Sequence, residues 1–77
     1  MNIKQKIGQR IKELREQKKI SQKDLAYTSD IDRSYIASVE SGKRNISIVN
    51  IEKISLAMEV SVQEFFNSNL FHNDTKI

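Results

Sequence analysis

Cysteine and proline do not occur in this chain, glycine occurs only at Gly8 and Gly42, and His72 is the single histidine. Without cysteine there are no disulfides and no thiolate-bound zinc, which fits a reducing compartment. One histidine near the C-terminus is a poor start for a metal site, so neither metal nor cofactor is expected. The scarcity of glycine and proline removes the punctuation of an all-β chain, whereas Lys, Glu, Gln, Ile and Leu are plentiful. An all-α fold follows. No apolar run approaches the roughly 18 residues of a membrane span, and the opening Met1-Asn2-Ile3-Lys4-Gln5-Lys6 does not resemble a secretory signal. A cytoplasmic protein with no membrane partner is expected. An enzyme is not: one histidine leaves no credible Ser/His/Asp grouping, and no glycine-rich phosphate loop occurs.

What is present is basic and unevenly so. The net charge is +3, but residues 1–45 hold 11 Lys+Arg against 6 Asp+Glu, and residues 46–77 hold 2 against 4. The front of the molecule suits a polyanion, and the back is left for another task. With 77 residues there is room for one domain, 1–77. Domains of this size bury only about 60% of the surface their unfolded chain exposes. Stability must then come from tight helix packing or from a second subunit.

Helical periodicity sets the elements. Ile3, Ile7, Ile11 and Leu14 recur at spacings of four, four and three, an apolar stripe on a first helix of about residues 4–18 whose other face is Lys, Arg, Gln and Glu. Ser21 with Asp24 three residues on opens a short second helix at Gln22. Thr28-Ser29-Asp30 ends it, because these side chains compete for backbone hydrogen bonds, and Asp32 is the next expected N-cap. Helix 3 runs from Arg33 to about Ser41, with Gly42 placed to stop it. Ser47 caps a fourth helix on which Ile48, Ile51, Ile54, Ala57 and Met58 keep the period, and Ser61-Val62-Gln63-Glu64 opens a short fifth through Phe65 and Phe66. Residues 71–77 carry no period and are expected to fray.

Two short helices joined by about four residues, the second opening on Asp32-Arg33-Ser34-Tyr35, make a helix-turn-helix. The residues themselves go further. Ser21-Gln22-x-x-Leu25-Ala26, then Ile31-x-Arg33-x-Tyr35-Ile36-x-x-Val39-Glu40-x-Gly42-x-Arg44-Asn45, with Ile48, Ile51, Ile54, Ala57, Val60-Ser61 and Glu64-x-Phe66 beyond and Ile11 and Leu14-Arg15 before, resemble the Cro/CI-type repressor family over about residues 7–66. Within that family, Asp32-Arg33-Ser34-Tyr35-Ile36 with Gly42-Lys43-Arg44-Asn45 most resembles the controller proteins of restriction-modification systems. The resemblance implies a five-helix, lambda-repressor-like DNA-binding domain with the helix-turn-helix at helices 2 and 3. It also implies a dimer that regulates transcription, including that of its own gene. A phage-type repressor or an antitoxin is the alternative within DNA binding, and a protein-interaction module on the same fold is the alternative outside it. The chain departs from the family at Asp30, where the turn usually has glycine, at Ser29, usually apolar, at Ile46, usually proline, and at Glu59, usually glycine.

Base reading is assigned to the start and one face of helix 3. Arg33 has the fork that matches guanine O6 and N7, Ser34 and Ser38 share its face, and Ala37 is small enough to admit the groove or touch a thymine methyl. Gln22 matches the family's phosphate-binding position, where a helix N-terminus already favours an anion. Lys43, Arg44 and Asn45 form a basic loop suited to the DNA backbone, or to solvent alone. Tyr27 and Tyr35 are further phosphate candidates, with Tyr35 equally able to stack into the core. Asp32 reads as a cap. Arg15 and Glu40 match a family ion pair tying helix 1 to the end of helix 3.

Helix 4 has more apolar surface than a monomer needs. Val49 and Leu56, seven apart and flanking Lys53, fall where the family is usually polar. With Val62, Phe65 and Leu70 they are expected to form the face that a second copy covers. Double-stranded operator DNA and a homodimer are thus the expected partners. RNA polymerase is left open, with the acids near helix 3, Glu40 and Asp30, as candidates for contact.

Overall fold

The computed structural model describes residues 1–72, which form five helices, α1 (Ile3–Gln17), α2 (Gln22–Ser29), α3 (Arg33–Glu40), α4 (Ile48–Ala57) and α5 (Val62–Phe66), followed by a single 3-10 turn, Asn69–Phe71. Each α-helical start except that of α3 is fixed by a polar side chain in the preceding position. Ser21, Ser47 and Ser61 accept hydrogen bonds from the backbone N–H groups of Asp24, Asn50 and Glu64 at 3.0, 3.1 and 3.0 Å. Asn2 does the same for Gln5, whose side chain returns the bond to the Asn2 N–H, both at 2.9 Å. This reciprocal box satisfies two of the donors that a helix start leaves without a partner, and it sets α1 one residue earlier than its stripe suggests. Asp32 precedes α3 but makes no side-chain capping bond, contrary to expectation.

The helix ends share one device. After α1, α2, α3 and α4 the chain turns through a residue of positive φ, namely Lys19 (59°), Asp30 (57°), Gly42 (78°) and Glu59 (61°). At each, the next N–H bonds back to a carbonyl five residues earlier: Ile20 to Arg15, Ile31 to Ala26, Lys43 to Ser38 and Val60 to Ser55, at 2.9 to 3.1 Å. This is the Schellman closure, and only one of the four has the glycine that makes it free of steric cost. Ile20, Ile31 and Val60 drop onto the core directly after the turn, so apolar burial holds Lys19, Asp30 and Glu59 in a conformation they disfavour. The join between α4 and α5 therefore survives the loss of glycine at position 59.

Ile7, Ile11 and Leu14 of α1 meet Leu25, Ile36, Val39, Ile54, Met58 and Phe65 in one core. Gly8 lets α1 lie against the last turn of α3: a Cβ there would sit 2.8 Å from the Glu40 carbonyl oxygen and collide with that of Val39. The stripes run out at helix starts, since Ile3 and Ile48 are both exposed. Two further expectations are corrected. Phe65 is completely buried, because α5 turns it inward onto the core as it packs against α4. Phe71, the expected start of the fraying tail, packs on the core, its ring centroid 5.0 Å from Phe66 and 6.4 Å from Phe65. The rest of that tail, residues 73–77, lies outside the described residues.

Candidate nucleic-acid interface

Ile36 and Val39 point α3 into the core, which turns Arg33, Ser34, Ala37 and Ser38 to the opposite side. These four follow an i, i+1, i+4, i+5 pattern and so share one helical face. Arg33 and Ser34 are exposed, while Ala37 and Ser38 are half-buried. The Arg33 guanidinium has no partner among the described residues, so its five donors face outward at the start of the helix.

Behind this face lies the pair that holds it. Arg15 donates from Nε to Glu40 Oε2 at 2.8 Å and from Nη2 to Glu40 Oε1 at 3.0 Å, a two-pronged clamp between α1 and the end of α3. Nη1 of Arg15 also donates to the Ile20 carbonyl at 3.0 Å, fixing the α1–α2 turn. Hydrogen bonding to Glu40 raises the Arg15 pKa above its ordinary value, against the opposing effect of burial. Glu40 Oε1 accepts a third bond, from Gln22 Nε2 at 3.1 Å. One carboxylate thus orients both the ion pair and the side chain at the N-terminus of α2, and takes only one of the two Gln22 Nε2 hydrogens.

The loop after α3 is basic and exposed at Lys43, Arg44 and Asn45. Gly42 anchors it beside α1, packed on the Gln5 side chain. Arg44 lies over the Tyr35 ring with Cζ 4.8 Å from its centroid, a cation–π contact of about 0.5–1 kcal/mol at such an exposed site. Tyr35, half-buried on α3, packs against the core as one of its two expected roles requires, and gives one ring face to the loop arginine. Tyr27 stands 90% exposed on α2. Asp30 and Asp32, also exposed, flank Arg33 and temper the positive charge there.

On the other side, Val49 and Leu56 of α4 are 59% and 66% exposed, and Ile48 beside them is exposed too. Val62 and Leu70 are half-buried. Phe65 does not belong to this face, since its ring lies wholly inside. Among the described residues no group of three His, Asp or Glu side chains is arranged to hold a metal ion, and no helix is long and apolar enough to cross a membrane.

Arg10 is a residue that the sequence does not single out: counted with the polar face of α1, it is 9% exposed and donates from Nε to the Phe65 carbonyl at 2.6 Å and from Nη2 to the Glu64 carbonyl at 2.8 Å. The signal was available: Ile7, Arg10 and Leu14 are three and four apart, so this arginine stands on the buried stripe.

Residues 11–65 match the family described as Helix-turn-helix. Control protein C.MunI of Mycoplasma sp is 43% identical over 67 residues, which span 86% of this chain and 90% of the relative. The crystal structure of the restriction-modification controller protein C.AhdI from Aeromonas hydrophila is similar with a TM-score of 0.78 at 48% identity, covering 82% of this chain and 96% of that one. The controller protein C.Esp1396I, solved as a tetramer in complex with its natural 35 base-pair operator, is similar with a TM-score of 0.81 at 39% identity, over 86% of this chain and 87% of that one.

Proposed function

The chain belongs to the helix-turn-helix family and, within it, to the controller proteins of restriction-modification systems, and from that premise we propose that it is a dimeric transcriptional regulator bound to a near-palindromic operator. The observation that carries this reading is the outward face of α3, with Arg33 exposed and without a partner among the described residues, beside a basic loop and the N-terminus of α2. Arg33 reads a guanine through O6 and N7, a contact worth about 1–3 kcal/mol against the wrong base. Ser34 and Ser38 supply further base or backbone hydrogen bonds, and Ala37 leaves room for the groove. Gln22, Lys43, Arg44 and Asn45 take phosphates, with Tyr27 at the rim. Tyr35 contributes by seating Arg44.

One α3 reads too few base pairs to select a site in a genome. A two-fold pair covering Val49 and Leu56 doubles the readout and sets the two helices about 34 Å apart, one turn of DNA. The operator-bound tetramer of C.Esp1396I supports a second layer in which dimers occupy adjacent boxes. The regulated genes are then the chain's own and its restriction gene. If activation involves RNA polymerase, Asp30 is the exposed acid that remains for it, because Glu40 is committed to Arg15 and Gln22.

Selection from a random double-stranded DNA pool at near-physiological salt tests the reading. A near-palindrome with half-sites one helical turn apart is expected. Retention without sequence enrichment would refute it and favour a partner-binding module.

A further inference from the structure

Arg10 is a buried cation that DNA binding does not use. Its Nε and Nη2 meet the carbonyls of Phe65 and Glu64, and Nη2 also approaches the Asn67 carbonyl at 3.5 Å. Its nearest acid, Glu13, is 3.9 Å away and one turn along α1. The guanidinium is therefore spent on carbonyls at the end of α5, where the helix itself supplies only the Asn67 N–H to that of Glu64, at 3.1 Å. Such a helix cannot hold its own shape, and a cation at its C-terminus complements the helix dipole.

A buried arginine is a costly way to gain stability, since well-packed apolar residues often do as well. What the planar fork adds is direction, because two N–H groups of fixed mutual angle set the α5 axis relative to α1. α5 bears Val62, packs against α4 with its exposed Val49 and Leu56, and leads into the turn bearing Leu70. We propose that Arg10 is a positioning residue for the dimer: it locks α5 and the following turn so that Val62 and Leu70 meet the second copy as a preformed surface with Leu56. This rests on the dimer reading above.

The test compares sedimentation equilibrium and thermal unfolding of the full chain with those of Arg10→Met and Arg10→Lys, and of Val39→Ala as a core variant away from α5. Arg10→Met is expected to raise the dimer dissociation constant at least tenfold at temperatures where it is fully folded, with Arg10→Lys in between. Val39→Ala, with a comparable loss of melting temperature, is expected to leave the dissociation constant within about twofold. Should Arg10→Met fail to fold, Arg10→Lys decides the matter, with amide exchange expected to speed up selectively in α5. Unchanged dimerisation in the folded Arg10 variants, or an equal effect of Val39→Ala, overturns the proposal while leaving the dimer reading intact. A wild-type chain that stays monomeric at every concentration overturns both.

Discussion

Replacing Glu40 with alanine removes one member of a pair that is almost enclosed, with side-chain exposures of 14% for Arg15 and 5% for Glu40. Arg15 then keeps only its bond to the Ile20 carbonyl. It cannot escape by giving up its proton, because arginine stays charged throughout the accessible range and its pKa is raised here rather than lowered. A raised pKa means that Arg15's own protonation favours the fold at pH below its unfolded value, a contribution lost only at extreme alkalinity. The substitution therefore leaves a charge with one neutral partner, a situation that costs about 3–5 kcal/mol when fully buried. The residual exposure of Arg15 places the expected loss at about 3 kcal/mol. A chain of 77 residues has about 4–12 kcal/mol in all. In urea, with a slope of about 1 kcal/mol/M for so small a domain, the midpoint followed by circular dichroism should fall by about 2–3 M. The double variant Arg15→Met, Glu40→Leu should recover most of that loss, because no charge is then stranded. A Glu40→Ala midpoint within about 0.5 M of wild type would show that the pair is solvated in solution, and the reasoning would fail.

Four other outcomes are expected. Gly8→Ala pushes a methyl into the Val39 and Glu40 carbonyls, so it should destabilise by about 2 kcal/mol or more despite alanine's better helix propensity; a higher melting temperature would mean that α1 can slide away. Glu59→Gly relieves a left-handed residue and should stabilise by about 0.5–1 kcal/mol, read as a rise in the urea midpoint, with a fall counting against strain at that turn. Leu56→Glu should give folded monomers by sedimentation and weak operator binding; an unchanged dimer would move the interface elsewhere. Arg33→Ala should abolish sequence preference in a selected pool while the dimer persists, and preserved preference would reassign the reading face.

The sequence was most legible where one local interaction decides the backbone. Ser21, Ser47 and Ser61 marked three helix starts, and Gly42 and Asp30 marked two helix ends, because caps and left-handed turns depend on near neighbours. Lys19 took the same left-handed turn without any compositional sign, since burial of the following Ile20 is what enforces it. Periodicity gave direction but not depth. Ile3 and Ile48 lie on the right stripes and yet stand in solvent, because a small core ends before its helices do. On α5, five residues are too few for a period to distinguish inside from outside, so Phe65 read as surface. The stripe position of Arg10 marks its burial but not its partners, the carbonyls of Glu64 and Phe65, which only the fold brings to α1; Phe71 closes on Phe65 and Phe66 through a 3-10 turn that no period marks.

These corrections alter how the two surfaces relate. With Phe65 inside, the face proposed for a second copy is narrower, resting on exposed Val49 and Leu56 with half-buried Val62 and Leu70. A small face gains affinity from preorganisation more than from area, since each flexible group must be ordered at the moment of contact. The same holds on the proposed DNA side, where Glu40 fixes Gln22 and Arg44 rests on Tyr35 within the chain itself. Both surfaces are thus held by cations or carboxylates whose other contacts run into the core: Arg10 behind α5, and Arg15 with Glu40 behind α2 and α3. On the proposed reading, substitutions at these anchors should weaken binding without touching a partner. Substitutions at Arg33 or Leu56 should weaken it without touching the fold.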